Sequence, residues 1–191
     1  MNKIRIAIVG YGGMGGWHTR HILEAGAVEL LGIYDIKEER AALARENGIY
    51  AYPSFEAVLA DPKVDFITIA TPNEWHKPLA IQAMRAGKHV VSEKPVTLSC
   101  DDLQAMIDCS KDTGKLFTVH QNRRWDHDYR IVKRLVDENT LGKIFNIESR
   151  VHGSRGIPGD WRNKKCHGGG MVLDWGVHLL DQILLIAGDR A

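Results

Sequence analysis

Apolar, β-branched runs alternate with stretches of helical periodicity along the first 120 residues. Ile4-Arg5-Ile6-Ala7-Ile8-Val9 closes on Gly10 and reads as a buried parallel strand. A helix is expected over residues 14–25, ended by Gly26, then a strand over 28–34 and a helix over 37–47 stopped by Gly48. Ser54 is placed to cap a short helix through Ala60. Val64-Asp65-Phe66-Ile67-Thr68-Ile69-Ala70 is the clearest strand of the chain. A helix over 73–86, a strand over 89–92, a helix from Ser99 to Thr113 and a strand over 116–120 complete the series. Ser99, with Asp102 three residues on, has the form of a capping box in which Asp replaces the usual Glu.

Strands that alternate with helices of ten or more residues make βαβ units. The expected fold class is α/β, a Rossmann-like doubly wound parallel sheet over residues 1–120. Beyond it the pattern predicts a helix over 128–138, a strand over 144–151, a polar glycine-rich loop and a helix over 171–187. One strand and two helices cannot satisfy both edges of a sheet. Residues 121–191 are therefore expected to be the opening part of an incomplete α+β second domain.

The remaining arithmetic excludes classes more than it selects one. Hydrophobic residues at 44% support a packed core and exclude disorder. A formal charge of +1, from 25 Lys+Arg and 24 Asp+Glu, provides no global field for nucleic acid or an anionic membrane. The apolar run over 183–187 is too short to span a bilayer, and the N-terminus lacks a signal-peptide pattern. Three cysteines without a CxxC fit a reducing compartment. A cytoplasmic protein is expected.

Gly10-Tyr11-Gly12-Gly13-Met14-Gly15 fits G-x-G-x-x-G between a strand and a helix, where free N–H groups and the helix dipole favour a pyrophosphate. Asp35 follows Gly15 by twenty residues, at the end of the second strand, where a carboxylate can accept from ribose hydroxyls. It could equally cap the next helix. Loop and acid together predict dinucleotide binding. The acid repels a 2′-phosphate, so NAD is expected, with NADP kept open by Lys37 and Arg40.

Ligands of open α/β sheets bind beyond the carboxyl ends of the strands. Thr71, Pro72, Asn73 and His76 follow one strand there, and Glu93, Lys94 and Pro95 follow the next. Asn73 could instead cap its helix, and His76 could lie on a solvent face. A charge of each sign where a buried strand emerges is costly without a purpose. Asp174 and His178, four apart, would share a helix face, with Gly168-Gly169-Gly170 letting the backbone approach a ligand. A metal set of Cys166, His167, Asp174 and His178 lacks ordinary zinc spacing, and no metal is expected.

The glycine loop, Ala70-Thr71-Pro72-Asn73, Gly87-Lys88-His89-Val90, Glu93-Lys94-Pro95, and Gly168-Gly169-Gly170 followed by Asp174-x-Gly176-x-His178 resemble the glucose–fructose oxidoreductase / inositol dehydrogenase / MocA family. Asn122-Arg123-Arg124-Trp125-Asp126 is similar to an inositol dehydrogenase-like branch. The resemblance implies an NAD(P)-dependent dehydrogenase with Lys94, Asp174 and His178 at catalytic positions. It also implies Glu93, Lys94 and Gln121 near the nicotinamide, and Arg123, Trp161 and Arg162 near a sugar, polyol or inositol-like substrate. Family members have a complete second domain that covers the substrate and builds a homo-oligomer; this chain ends just after the His178 helix, and a truncated chain is expected. The chemistry then expected is hydride transfer from a secondary alcohol, with His178 as general base and Lys94 stabilising the alkoxide, or the two roles exchanged. Asp174 would orient the substrate or the imidazole. A catalytically silent dinucleotide-binding module is the rival reading.

Overall fold

The structure is a computed structural model that describes residues 3–153 and 161–188. The chain divides into two compact units, residues 1–120 and 121–191. The first unit contains β1 (Arg5–Val9), α1 (Gly13–Ala25), β2 (Glu29–Tyr34), α2 (Glu38–Glu46), α3 (Phe55–Ala60), β3 (Phe66–Ile69), α4 (His76–Arg85), β4 (His89–Ser92), α5 (Cys100–Thr113) and β5 (Phe117–Val119). All five strands are parallel, in the order β2-β1-β3-β4-β5. Chain order reverses between β1 and β3, which makes the sheet doubly wound, with its switch point at the end of β1.

The core follows from the strand sequences. Ala7, Val9, Ile67, Ile69 and Val90 pack with Val58, Ala80, Ala83, Met84 and Met106, while Ile8 and Ile33 pack with Tyr11 and Ala44. Alternate residues of one strand thus enter different clusters, as a sheet covered on both faces requires. Polar fixtures hold the amino ends of the strands. The Arg5 backbone N–H and guanidinium donate to Asp65 at 2.8–3.0 Å. The buried Lys88 ammonium donates to the carbonyls of Asp61 and Val64 at 2.6 and 3.0 Å.

Helix ends match their sequence signals closely. Gly26, Gly48, Gly87 and Gly114 all have positive φ, where a side chain would be strained. Ser54 Oγ accepts from the Ala57 N–H at 3.1 Å, and Ser99 Oγ from the Asp102 N–H at 3.2 Å. The expected capping box is only half made, because the Asp102 carboxylate pairs with Lys77. The helix expected over 73–86 starts as a 3₁₀ turn, Asn73–Trp75, before α4.

The second unit, described by itself, contains a 3₁₀ turn at Asn122–Trp125, α6 (His127–Asp137), short 3₁₀ turns at Trp161–Asn163 and Lys165–His167, a π-helical turn at Val172–Gly176, and α7 (Val177–Ala187). Two expectations are corrected here. Residues 144–151 form no strand, and Phe145 is almost fully exposed; among the described residues no strand pairs with this segment, and a strand needs a ladder partner. The helix expected over 171–187 opens with a π turn, so Asp174 and His178 do not lie on one regular α-helical face. Part of the glycine-rich loop expected after Val151 lies outside the described residues.

The helical stretch Lys165–Ala187 is long and apolar enough by composition to cross a membrane, contrary to what the short run at 183–187 implies alone. Two of its polar side chains are bonded within the unit. Asp181 accepts from the Arg124 guanidinium at 2.8 Å, and Gln182 Nε2 donates to the Arg123 carbonyl at 2.8 Å. Those bonds fit a helix docked on protein.

Candidate functional site

The carboxyl ends of the five strands bring most of the expected residues of the first unit to one edge. Gly10, at φ +93°, turns the chain out of β1, and its N–H donates to the Tyr34 carbonyl at 2.7 Å. A Cβ at Gly10 would come within 2.6 Å of the Ala70 carbonyl oxygen. A Cβ at Gly15 would lie 1.9 Å from the Gly10 carbonyl oxygen. These two glycines let backbone pack on backbone. Gly12 and Gly13 differ, since a Cβ at either meets nothing within 4 Å among the described residues. Gly12 is the N-cap of α1 and brings no side chain to the first N–H groups of the helix.

Asp35 faces this loop. Its Oδ2 accepts from the Tyr11 N–H at 2.6 Å, and its Oδ1 from the Lys37 N–H at 2.9 Å. The helix-capping alternative is not what forms, because Lys37 occupies the N-cap of α2. Each carboxylate oxygen has a further lone pair for a sugar hydroxyl. An open cradle of N–H groups at a helix start, with a half-buried carboxylate beside it, fits an adenine dinucleotide: diphosphate on the loop, ribose on Asp35.

His76 departs from both readings of it. The ring is fully buried, with Nδ1 2.9 Å from the Pro95 carbonyl and Nε2 3.0 Å from the Thr71 carbonyl. Burial pushes its pKa down, against the pull of those carbonyls. The ring joins the loop after β3 to the loop after β4, and it presents no solvent face. Thr71 and Pro72 are half-buried in the first of these loops, and Asn73 is buried.

Glu93 is the most constrained charge of the unit. It is 4% exposed, and its Oε1 accepts from both His18 Nε2 at 2.6 Å and His120 Nδ1 at 2.9 Å. Burial acts to raise its pKa, but the two imidazole contacts outweigh burial and hold it down at about 2. The family resemblance implies Glu93 beside the nicotinamide and gives no role to either histidine. The signal was available in principle: a buried carboxylate at this edge needs donors, and α1 and the end of β5 are the neighbours that reach it. The three donor atoms lie within 4.8 Å of one another, as a metal would require. The spacing is nevertheless that of hydrogen bonds, since ligands about 2.1 Å from a shared tetrahedral ion stand about 3.4 Å apart. Lys94, half-buried, follows directly, and the Lys94–Pro95 peptide is cis.

In the second unit His178 is buried and lies edge-on to Trp175, with ring centroids 6.1 Å apart. Arg162 Nε is 3.8 Å from Asp174 Oδ1, and the Arg162 guanidinium lies over Trp161. Arg123 is engaged by Asp126 at 2.9 Å and by the face of Trp175 at 4.2 Å. Gln121 Nε2 donates to the Val177 carbonyl at 3.3 Å, while its Oε1 is buried with no partner among the described residues. Gly169 serves a different contact from the one expected, since its α-carbon packs on the Arg162 backbone, where a Cβ would come within 2.1 Å of the carbonyl oxygen.

Fold and edge define a dinucleotide-binding α/β protein, and comparison with known proteins gives the family. The family model for the oxidoreductase family with an NAD-binding Rossmann fold, GFO/IDH/MocA, matches residues 4–121, and the GFO/IDH/MocA C-terminal domain matches 129–191. The chain belongs to this family of oxidoreductases. It is 31% identical to the uncharacterized oxidoreductase YdgJ of Escherichia coli over 98% of this chain and 54% of that protein. It is 30% identical to scyllo-inositol 2-dehydrogenase (NAD(+)) of Bacillus subtilis over 94% of this chain and 53% of that one. The crystal structure of an NAD-binding protein from Listeria innocua superposes with a TM-score of 0.92 at 56% identity, over 96% of this chain and 54% of that one. The chain thus spans about half the length of the relatives it matches.

Two expectations follow from this geometry. Gly12→Ala adds a methyl group in open space at an ordinary φ of −84°, so its urea midpoint should stay near wild type while NAD affinity falls about tenfold or more. Gly15→Ala should lose several kcal/mol of stability or fail to fold; equal behaviour of the two variants in urea titration would contradict this division. For Glu93, the folded pKa lies below the unfolded value, so its contribution is present above about pH 4.5 and is lost as pH falls toward 2. The loss is on the order of 3 kcal/mol, and the acid limb of stability against pH should be shallower in Glu93→Gln.

Proposed function

We propose that this chain carries the cofactor-binding part and the principal catalytic groups of an NAD-dependent dehydrogenase. Its substrate is a secondary alcohol of a sugar, polyol or inositol. The observation that carries this reading is the shared strand edge, where the open Gly12–Gly13 cradle and Asp35 meet the loop bearing Glu93-Lys94-Pro95. The family membership and the printed activity of the Bacillus subtilis relative support the same class of chemistry.

A nicotinamide held at this edge would supply the two-electron acceptor. The protein must then take the hydroxyl proton and stabilise charge on the oxygen that loses it. His178 is assigned as the base, since a neutral imidazole nitrogen can accept the hydroxyl proton. Lys94 is assigned as the hydrogen-bond donor to the reacting oxygen, where its charge offsets developing alkoxide. Asp174 keeps the role of orienting substrate or imidazole. Asp35 favours NAD, because a second carboxylate-facing anion on the ribose would be repelled. Leu180 and Leu184 on α7, both more than half exposed, support an assembly of identical chains. The reading places that assembly in the cytoplasm.

Lys94→Met and His178→Gln should each lower kcat by about 100-fold or more with NAD affinity within about twofold of wild type. Near-normal turnover of both variants on a polyol panel would remove the assignment, and NAD binding with no turnover in wild type would favour the silent module. Asp35→Asn keeps an acceptor for the Tyr11 N–H but removes the charge. By isothermal titration it should shift the NAD-to-NADP affinity ratio toward NADP by about tenfold.

A further inference from the structure

Glu93 is a poor candidate for contact with a ligand, because its polar atoms are already engaged. Its N–H donates to the Ile69 carbonyl at 2.9 Å, which fixes its main chain to β3. Oε1 takes His18 Nε2 from α1 and His120 Nδ1 from the residue after β5. Oε2 takes the N–H of Lys94 at 3.3 Å. The backbone N–H of His120 in turn donates to the Ser92 carbonyl at 2.8 Å, so the main chain that carries the second imidazole is itself fixed. On the other side of Lys94, the Pro95 carbonyl meets the buried ring of His76.

We propose that Glu93, held by His18 and His120, is the positioning residue for Lys94. The clamp joins α1, β4 and the end of β5, and with His76 it fixes the main chain on both sides of the lysine. Packing alone does not account for the cluster. Replacing a buried ionic group by apolar side chains of similar volume is often neutral or stabilising, so the buried Glu93 and His18, with half-buried His120 beside them, cost stability that a hydrocarbon contact would not. What they add is direction, because two rings of fixed tautomer admit only one orientation of the carboxylate, and that orientation aligns the next peptide N–H. The proposal rests on Lys94 being the group that faces the reacting oxygen.

The test reads Lys94 directly and needs no substrate. Trace acetylation with acetic anhydride across pH, quantified by mass spectrometry, gives the reactivity of Lys94 with the exposed Lys37 and Lys63 as internal references. Glu93→Gln, His18→Leu and His120→Leu should change the Lys94 rate by about threefold or more, half a pKa unit, with the references unmoved. His18→Gln and His120→Asn place an amide N–H where the ring N–H stood and should return Lys94 to within about twofold of wild type. An unchanged Lys94 rate in folded Glu93→Gln or leucine variants overturns the clamp. Should those variants fail to fold, the wild-type protein decides by long-range proton–nitrogen NMR of its histidine rings. A proton on His18 Nε2 and on His120 Nδ1 supports the clamp, and its absence from either overturns it. Unmoved Lys94 labelling overturns the clamp and leaves the dehydrogenase reading intact, while labelling that tracks the clamp without turnover on any sugar or polyol overturns that reading and leaves the clamp as a fixture of the Lys94 main chain without a catalytic purpose.

Discussion

Two backbones meet where α1 crosses the end of β1: the α-carbon of Gly15 lies so close to the Gly10 carbonyl that no side chain fits between them. This contact sets the angle at which the helix leaves the sheet. It thereby sets the start of α1, where no side chain caps the first N–H groups, and brings Tyr11 to the Asp35 carboxylate. The nucleotide edge of the unit depends on this approach, because a loop displaced by even one methyl group would move the anion cradle relative to the strand ends. Affinity for a diphosphate is therefore built from main-chain geometry, and the side chains around it mostly hold that geometry in place.

The loops beyond β3 and β4 follow the same logic with histidines in place of glycines. The buried His76 ring sits between the Thr71 and Pro95 carbonyls and, when neutral, donates to one of them, and His18 and His120 both meet one oxygen of Glu93. Parallel strands deliver successive loops to one edge but leave their polar backbone atoms without a ladder. Imidazoles supply partners of defined direction, at ring nitrogens about 2 Å apart. The lysine between these fixtures sits on a segment with little freedom of its own.

Much of the first unit was legible in the chain. The strands announce themselves as short β-branched runs, and each helix that ends on Gly26, Gly48, Gly87 or Gly114 does so at a positive φ. The glycine loop and Asp35 were legible as a pair because their relation is carried by one βαβ unit. The segment 144–151 was misread since its alternation describes a strand only if another strand lies beside it, and none does among the described residues. The π turn at Val172–Gly176 escaped because apolar spacing at 3.6 residues does not register one inserted residue per turn. The partners of His76, His18 and His120 escape for a further reason: they lie 5 to 75 residues away, and both of those of His76 are carbonyls that any residue type would provide.

The position of His18 on α1 carries one more consequence, for how this loop can diverge. His18 stands three residues beyond Gly15, a little under one turn along the same helix. Inserting a single residue between them would rotate the imidazole by about 100° around the helix axis and lift it by about 1.5 Å, away from the carboxylate it now meets. Helical phase therefore couples the length of the phosphate-binding turn to the lysine loop, so the two can drift in composition but not independently in spacing.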